Sequence, residues 1–198
     1  PVHIEVPTDV MPMECPEPVS PPLAPVGRTP DAALLQAAAH RLNGAQKVVI
    51  LAGGGARGAG AALKALAEKL DAPVVSTTNA RGLMHGHPLN LAASPSFPAV
   101  RALVKAADQV LAVGTEFGQT DYDMYADGAT PDLPGMIRID ICGDQLARQA
   151  ATVRVCADAS LALEALLPMV EARKADGAKR TAETLAAARV ELGALSPK

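Results

Sequence analysis

Aromatic side chains are nearly missing from this 198-residue chain, which has two Phe, two Tyr and no Trp. Proteins that hold single-stranded nucleic acid stack its bases on aromatic faces, so that class does not fit. No block of Lys and Arg occurs, and the net charge is −3. The basic footprint of a phosphate-backbone binder is therefore missing as well. Cysteine is scarce: Cys15, Cys142 and Cys156 are odd in number, far apart and form no CxxC. This spacing argues against a disulfide frame and for reduced thiols in a cytoplasmic protein. No run approaches the roughly eighteen apolar residues of a membrane span, and no signal peptide is legible. The first residues, PVHIEV, begin abruptly and read as a piece of a longer polypeptide.

Hydrophobic residues make up 49% of the chain, mostly Ala, Leu and Val. That excludes a disordered chain. The length suits one domain with tails, able to bury roughly 70% of its unfolded surface. Nine of the seventeen prolines lie in the first thirty residues. Residues 1–28 therefore read as a short strand, PVHIEV, from a neighbouring domain's sheet, followed by an extended Pro-rich linker. Residues 29–173 read as the domain itself. Thr29 as N-cap and Pro30 in the first turn predict a helix that stops at Gly44. Short apolar runs then alternate with helical stretches: QKVVILAG, PVVSTT, DQVLAVGT, MIRIDI and VRVC as strands, with helices between them. Strands buried on both faces and separated by helices indicate a parallel α/β sheet. Residues 115–135 read as a long irregular loop of the kind that carries function. Residues 174–198 read as a helical tail or a linker to a next domain.

Ligands of such sheets bind at the carboxyl ends of the strands. The string GGGARG, Gly53 to Gly58, follows one strand and fits G-x-G-x-x-G, so it reads either as a phosphate-holding loop or as a plain tight turn. An NAD site needs an acid at the end of the second strand, where this chain has Ser76, Thr77, Thr78 and Asn79. An ATPase loop needs Gly-Lys-Ser/Thr, which is absent. His85 and His87 are half a metal site, with a polar loop as the plainer reading. Asp121, Asp123, Asp127 and Asp132 echo a calcium loop, but Ala126 occupies its obligatory glycine position. Asp140, at the end of MIRID, is placed either for ribose hydroxyls or as a cap for the turn that follows. No nucleophile elbow, Ser/His/Asp order or HExxH motif occurs, so no complete catalytic constellation is present.

Several stretches together resemble thiamine-diphosphate enzymes of the acetolactate synthase type. PVHIEVPTDV is similar to the end of their first domain. VVILAGGG is similar to the opening of their central domain. LAEKLDAPVVSTTNARGLMHGHPLNL, VLAVGTEFG, IRIDICGDQL and VRVCADASLALEAL follow in the family's order up to about residue 168. The resemblance implies the central domain: a three-layer α/β/α, Rossmann-like unit with a six-stranded parallel sheet. It implies a parent with two further domains, homo-oligomeric, using thiamine diphosphate and magnesium. The activating glutamate and the G-D-G motif of that site are not in this chain. Central domains of the family hold FAD, ADP or nothing. The matching positions here are Gly53, Gly54 and Gly55 for phosphates, the loop from Thr78 to Gly82, Gly114 to Phe117, and Asp140 with Asp158 for the adenosine end. Where flavin-binding members carry R-F-D-D-R, this chain has Glu116, Phe117, Gly118, Gln119 and Thr120, so a flavin diphosphate loses its charged partners. The string GTEFGQTDYDMYADG resembles decarboxylases of the 2-oxo acid of arginine. The rival readings are a flavin carrier of the electron-transfer flavoprotein type, whose basic loop is missing, and a free-standing NAD enzyme.

Overall fold

The structure, a computed structural model, describes residues 3–14, 27–122, 133 and 135–195. It contains a six-stranded, all-parallel sheet in the order β3-β2-β1-β4-β5-β6. The strands are β1 (Val48–Ala52), β2 (Val74–Ser76), β3 (Asn90–Leu91), β4 (Gln109–Val113), β5 (Ile137–Asp140) and β6 (Val153–Cys156). Helices α1 (Ala32–Gly44), α2 (Gly60–Leu70) and α5 (Ala159–Leu166) contribute to one layer. Helices α3 (Pro98–Lys105) and α6 (Gly177–Leu195) contribute to the other, and a short α4 (Gly143–Ala147) follows β5.

The two layers follow from strand alternation. Val48, Ile50 and Ala52 of β1 face the α1/α2/α5 side, and Val49 and Leu51 face the α3 side. All five β1 residues are buried and apolar, as in a parallel strand covered on both faces. Large aromatics are rare, and the core is filled by Leu, Val, Ile and Ala. The expected three-layer α/β/α architecture with a six-stranded parallel sheet is what the chain adopts.

Local details differ from the sequence reading. Helix α1 is capped by Asp31, not Thr29: Asp31 Oδ1 accepts from the N–H groups of Ala33 at 2.8 Å and Leu34 at 3.2 Å. Its short carboxylate sits directly before the first helical residue, Ala32, whereas Thr29 lies two residues further out. Strand β3, absent from the sequence reading, is the dipeptide Asn90–Leu91. Residues 3–6 are exposed and pair with no strand among the described residues. The Pro-rich run over residues 15–26, including Cys15, lies outside the described residues. The core begins with Gly27 and Arg28, whose carbonyl accepts from Asp158 N–H at 2.8 Å.

Helix α6 packs over α3 and β3. It buries Thr181 and Ala188, and Arg180 reaches the Asp71 and Val48 carbonyls at 3.3 and 3.4 Å. Among the described residues no helix is long and apolar enough to cross a membrane.

Candidate functional site

The strand order reverses between β1 and β4, so the crevice above their carboxyl ends is the favoured ligand position of such a sheet. Its first wall is the glycine loop. After β1 the chain runs as a 3-10 turn, Gly54–Ala59, before α2 begins at Gly60. The glycines are required by another piece of backbone. A Cβ on Gly53 would lie 2.2 Å from the Gly114 oxygen, and one on Gly55 2.8 Å from the Gly114 Cα. Gly114 itself holds φ +57, and a Cβ there would lie 2.6 Å from Gly55. Gly53 N–H donates to Val113 O at 2.9 Å, Gly55 N–H to Gly114 O at 3.0 Å, and Ala56 N–H to Gly53 O at 3.0 Å. The N–H groups expected to face a phosphate are thus largely consumed by the loop's own contacts. Gly54 is the exception in space: its Cβ would meet only the Asn79 side chain, at 3.1 Å.

The second wall is the segment Thr115 to Tyr122, held by a residue that sequence reasoning passed over. Arg138 of β5 is 1% exposed. Strand alternation turns it between Ile137 and Ile139 onto the α3 face. Its guanidinium donates to Gln145 O at 2.7 Å and Thr115 O at 2.9 Å, and lies 4.9 Å from the Phe117 ring centre. Phe117 stacks on Tyr122 at 5.0 Å, with φ +54 at Phe117. Thr115 Oγ1 and Tyr122 OH are 3.2 Å apart. Burial pushes the Tyr122 phenol far above its usual range, with the Thr115 hydrogen bond opposing. Burial also lowers the Arg138 guanidinium from its ordinary value, opposed by Asp140. The alternating pattern of MIRID was the available signal: Arg138 is a basic residue between two isoleucines, in a strand buried on both faces.

Asp140 is 8% exposed. Its Oδ1 accepts from Cys142 N–H at 2.9 Å and its Oδ2 lies 4.0 Å from Arg138. Asp158 caps α5, with Oδ1 accepting from Ser160 N–H at 2.9 Å and Leu161 N–H at 3.2 Å. Two clefts share Gly55, Gly114 and Glu116. One, of about 350 Å³, is lined by Gly53, Gly54, Thr77, Asn79 and Asp121 besides. The other, of about 260 Å³, adds Asp140, Cys142, Gln145 and Asp158. The structure therefore gathers Gly53, Gly54, Gly55, Gly114, Asp140 and Asp158 along one edge. Thr78 lies apart, on a neighbouring cleft, and its N–H is held by Asp121 Oδ1 at 3.3 Å.

Among the described residues, Glu116, Asp121, Asp140 and Asp158 line the two clefts and no Lys or Arg does. With the Gly53 and Gly55 N–H groups occupied as well, the donor set does not suit the diphosphate of FAD or ADP. His87 is committed to Glu68, 3.0 Å away, and His85 is exposed. No group of three or more His, Cys, Asp and Glu is placed to hold a metal among the described residues. Asp123, Asp127 and Asp132 lie outside them.

The family model described as "Thiamine pyrophosphate enzyme, central domain" matches residues 35–166. The chain is 36% identical over 186 residues to the "Probable 2-ketoarginine decarboxylase AruI" of Pseudomonas aeruginosa, covering 92% of this chain and 33% of that protein. It is 33% identical over 143 residues to the "Putative thiamine pyrophosphate-containing protein YdaP" of Bacillus subtilis, covering 70% and 23%. The crystal structure of benzoylformate decarboxylase from Polynucleobacter necessarius superposes with TM-score 0.64 at 16% identity, covering 86% of this chain and 33% of that one. The chain thus spans about a quarter to a third of the length of these relatives.

Proposed function

The chain belongs to the family of thiamine pyrophosphate enzyme central domains, and on that footing we propose that it is the middle part of a decarboxylase for a 2-oxo acid with a basic side chain, such as 5-guanidino-2-oxopentanoate. The observation that carries the substrate class is the 36% identity, over 92% of the chain, to a protein named as a 2-ketoarginine decarboxylase. The acid-rich stretch from Glu116 to Asp127 supports it, because carboxylates pair with a guanidinium in bidentate fashion.

When bound by the parent, thiamine diphosphate with magnesium supplies the electron sink for loss of CO2. This chain has no G-D-G motif to hold that group. Its own residues supply a rigid sheet, with the loop from Thr115 to Tyr122 anchored by Arg138 at the carboxyl edge. The thiamine-binding domains lie in the rest of the parent, which assembles as a homo-oligomer. The free thiols of Cys142 and Cys156 suit a reducing cytoplasm.

The test is CO2 release by the full parent, loaded with thiamine diphosphate and magnesium, from 5-guanidino-2-oxopentanoate and from pyruvate. A kcat/KM at least about tenfold higher for the guanidino acid is expected, since a site built around a charged partner rejects substrates lacking it. Acetolactate formation from pyruvate, with no turnover of the guanidino acid, would identify a synthase and refute the substrate class. Calorimetry on the 198-residue chain with thiamine diphosphate and magnesium should show no binding. A one-to-one micromolar isotherm would overturn the placement of that site elsewhere.

A further inference from the structure

The carboxyl edge of the sheet sorts charge. The clefts over β1, β4, β5 and β6 are lined by carboxylates and carry no Lys or Arg among the described residues. The cleft over the ends of β2 and β3 is the reverse. It measures about 250 Å³ and is lined by Ser76, Thr78, Arg81, His85, Asn90 and Ser94 with small or apolar neighbours. No carboxylate lines it among the described residues. The turn Thr78–Ala80 is the wall between the two regions: Thr77 and Asn79 face the acidic cleft and Thr78 faces the other. On the far side of that wall, Asp121 Oδ1 accepts from the Thr78 N–H at 3.3 Å.

Among the described residues, the lining is rich in donors that no other group uses. Ser94 Oγ accepts from Ser96 Oγ at 2.9 Å and from Ser96 N–H at 3.3 Å, which leaves its own proton to donate. The side chains of Ser76, Thr78 and Asn90 enter no hydrogen bond among the described residues. Arg81 brings a planar fork of N–H donors and His85 a ring N–H. Gly82, at φ +97, turns the chain directly after Arg81, so both basic residues border one space. Below about 300 Å³ a cleft is smaller than one for a drug-sized molecule, so it suits a small group rather than a dinucleotide.

We propose that this cleft, and not the glycine loop, is the oxyanion site of the domain, binding a small carboxylate or phosphate group through Arg81 and His85 with the hydroxyls of Ser76, Thr78 and Ser94. The inference stands on the charge sorting and is independent of the parent's substrate.

The experiment is calorimetric titration of the 198-residue chain with sodium phosphate and, separately, with sodium pyruvate, against sodium chloride at matched ionic strength. Arg81→Gln and His85→Gln remove the proposed partners. Arg57→Gln removes an equal, exposed charge from the glycine loop instead. Saturable binding of either probe is expected, weakened about tenfold or more by Arg81→Gln, reduced by His85→Gln and unchanged by Arg57→Gln. Phosphate alone saturating identifies a phosphate site, and pyruvate alone identifies a carboxylate site. Heats no larger than those of chloride would overturn the proposal. So would binding that survives Arg81→Gln or is lost in Arg57→Gln.

Discussion

Replacing Arg138 with Met tests the central claim about the loop beside the crevice. Met matches the stem of the side chain but removes every donor. The carbonyls of Thr115 and Gln145 lose bonds of 2.9 and 2.7 Å in a buried setting. Each orphaned group costs about 1–3 kcal/mol. Asp140, 8% exposed, loses its cationic neighbour, although at 4.0 Å that contact is the weaker part. Removing one member of such a buried charged cluster costs about 3–5 kcal/mol in total. For a domain of this size one kcal/mol moves the midpoint by about 2–4 °C, so Arg138→Met should melt roughly 6–20 °C lower. Near-ultraviolet dichroism should weaken in parallel, because the guanidinium supports the Phe117–Tyr122 stack. Adding Asp140→Asn should restore part of the loss, with a coupling of about 0.5–3 kcal/mol, since a neutral amide needs no cation. A single variant within about 2 °C of the parent chain, or strictly additive effects in the pair, would refute the reasoning.

The glycines should separate by their contacts. Gly114→Ala drives a Cβ into the backbone of Gly55 at φ +57 and should cost more than about 2 kcal/mol in urea unfolding, whereas Gly54→Ala, facing only Asn79, should cost under about 1. Tyr122 has its pKa raised by burial, so the fold gains most while the phenol stays neutral. Stability from this group is complete below the unfolded value of about 10 and is lost as pH rises through the higher folded value. In a Tyr125→Phe background, no phenolate absorbance should develop before the chain unfolds in alkali; a transition near pH 10 in the folded chain would contradict the burial. Deleting residues 1–26 should leave the melting temperature unchanged, while truncation after residue 173 should lower it by several degrees through loss of the α6 contacts with α3 and of the Arg180 anchor. The reverse order of effects would show that α6 is not part of the domain.

The chain's own residues determined the sheet and most of its strands. VVIL, PVVS, VLAV, MIRID and VRVC are short apolar runs because a parallel strand is buried on both faces, and that pressure acts on every residue of the run. The crevice's address was legible for the same reason, since ligand positions follow from where strands end. Other features exist only once distant segments meet. The strand Asn90–Leu91 is two residues long and is defined by its pairing with Val74 and Val75. Gly53 and Gly55 look like a phosphate loop in sequence, but the partner that demands them is Gly114, some sixty residues away. Asp158 matches a ligand-binding position by resemblance, yet its carboxylate is taken by the start of the helix it precedes. Arg138 carries no local sign of its partners, because the Thr115 carbonyl and the Phe117 ring reach it from another strand's loop. Local sequence records the burial and propensity of its own residues. Which polar groups remain available for a ligand depends on which are consumed by contacts across the chain, and only tertiary structure settles that.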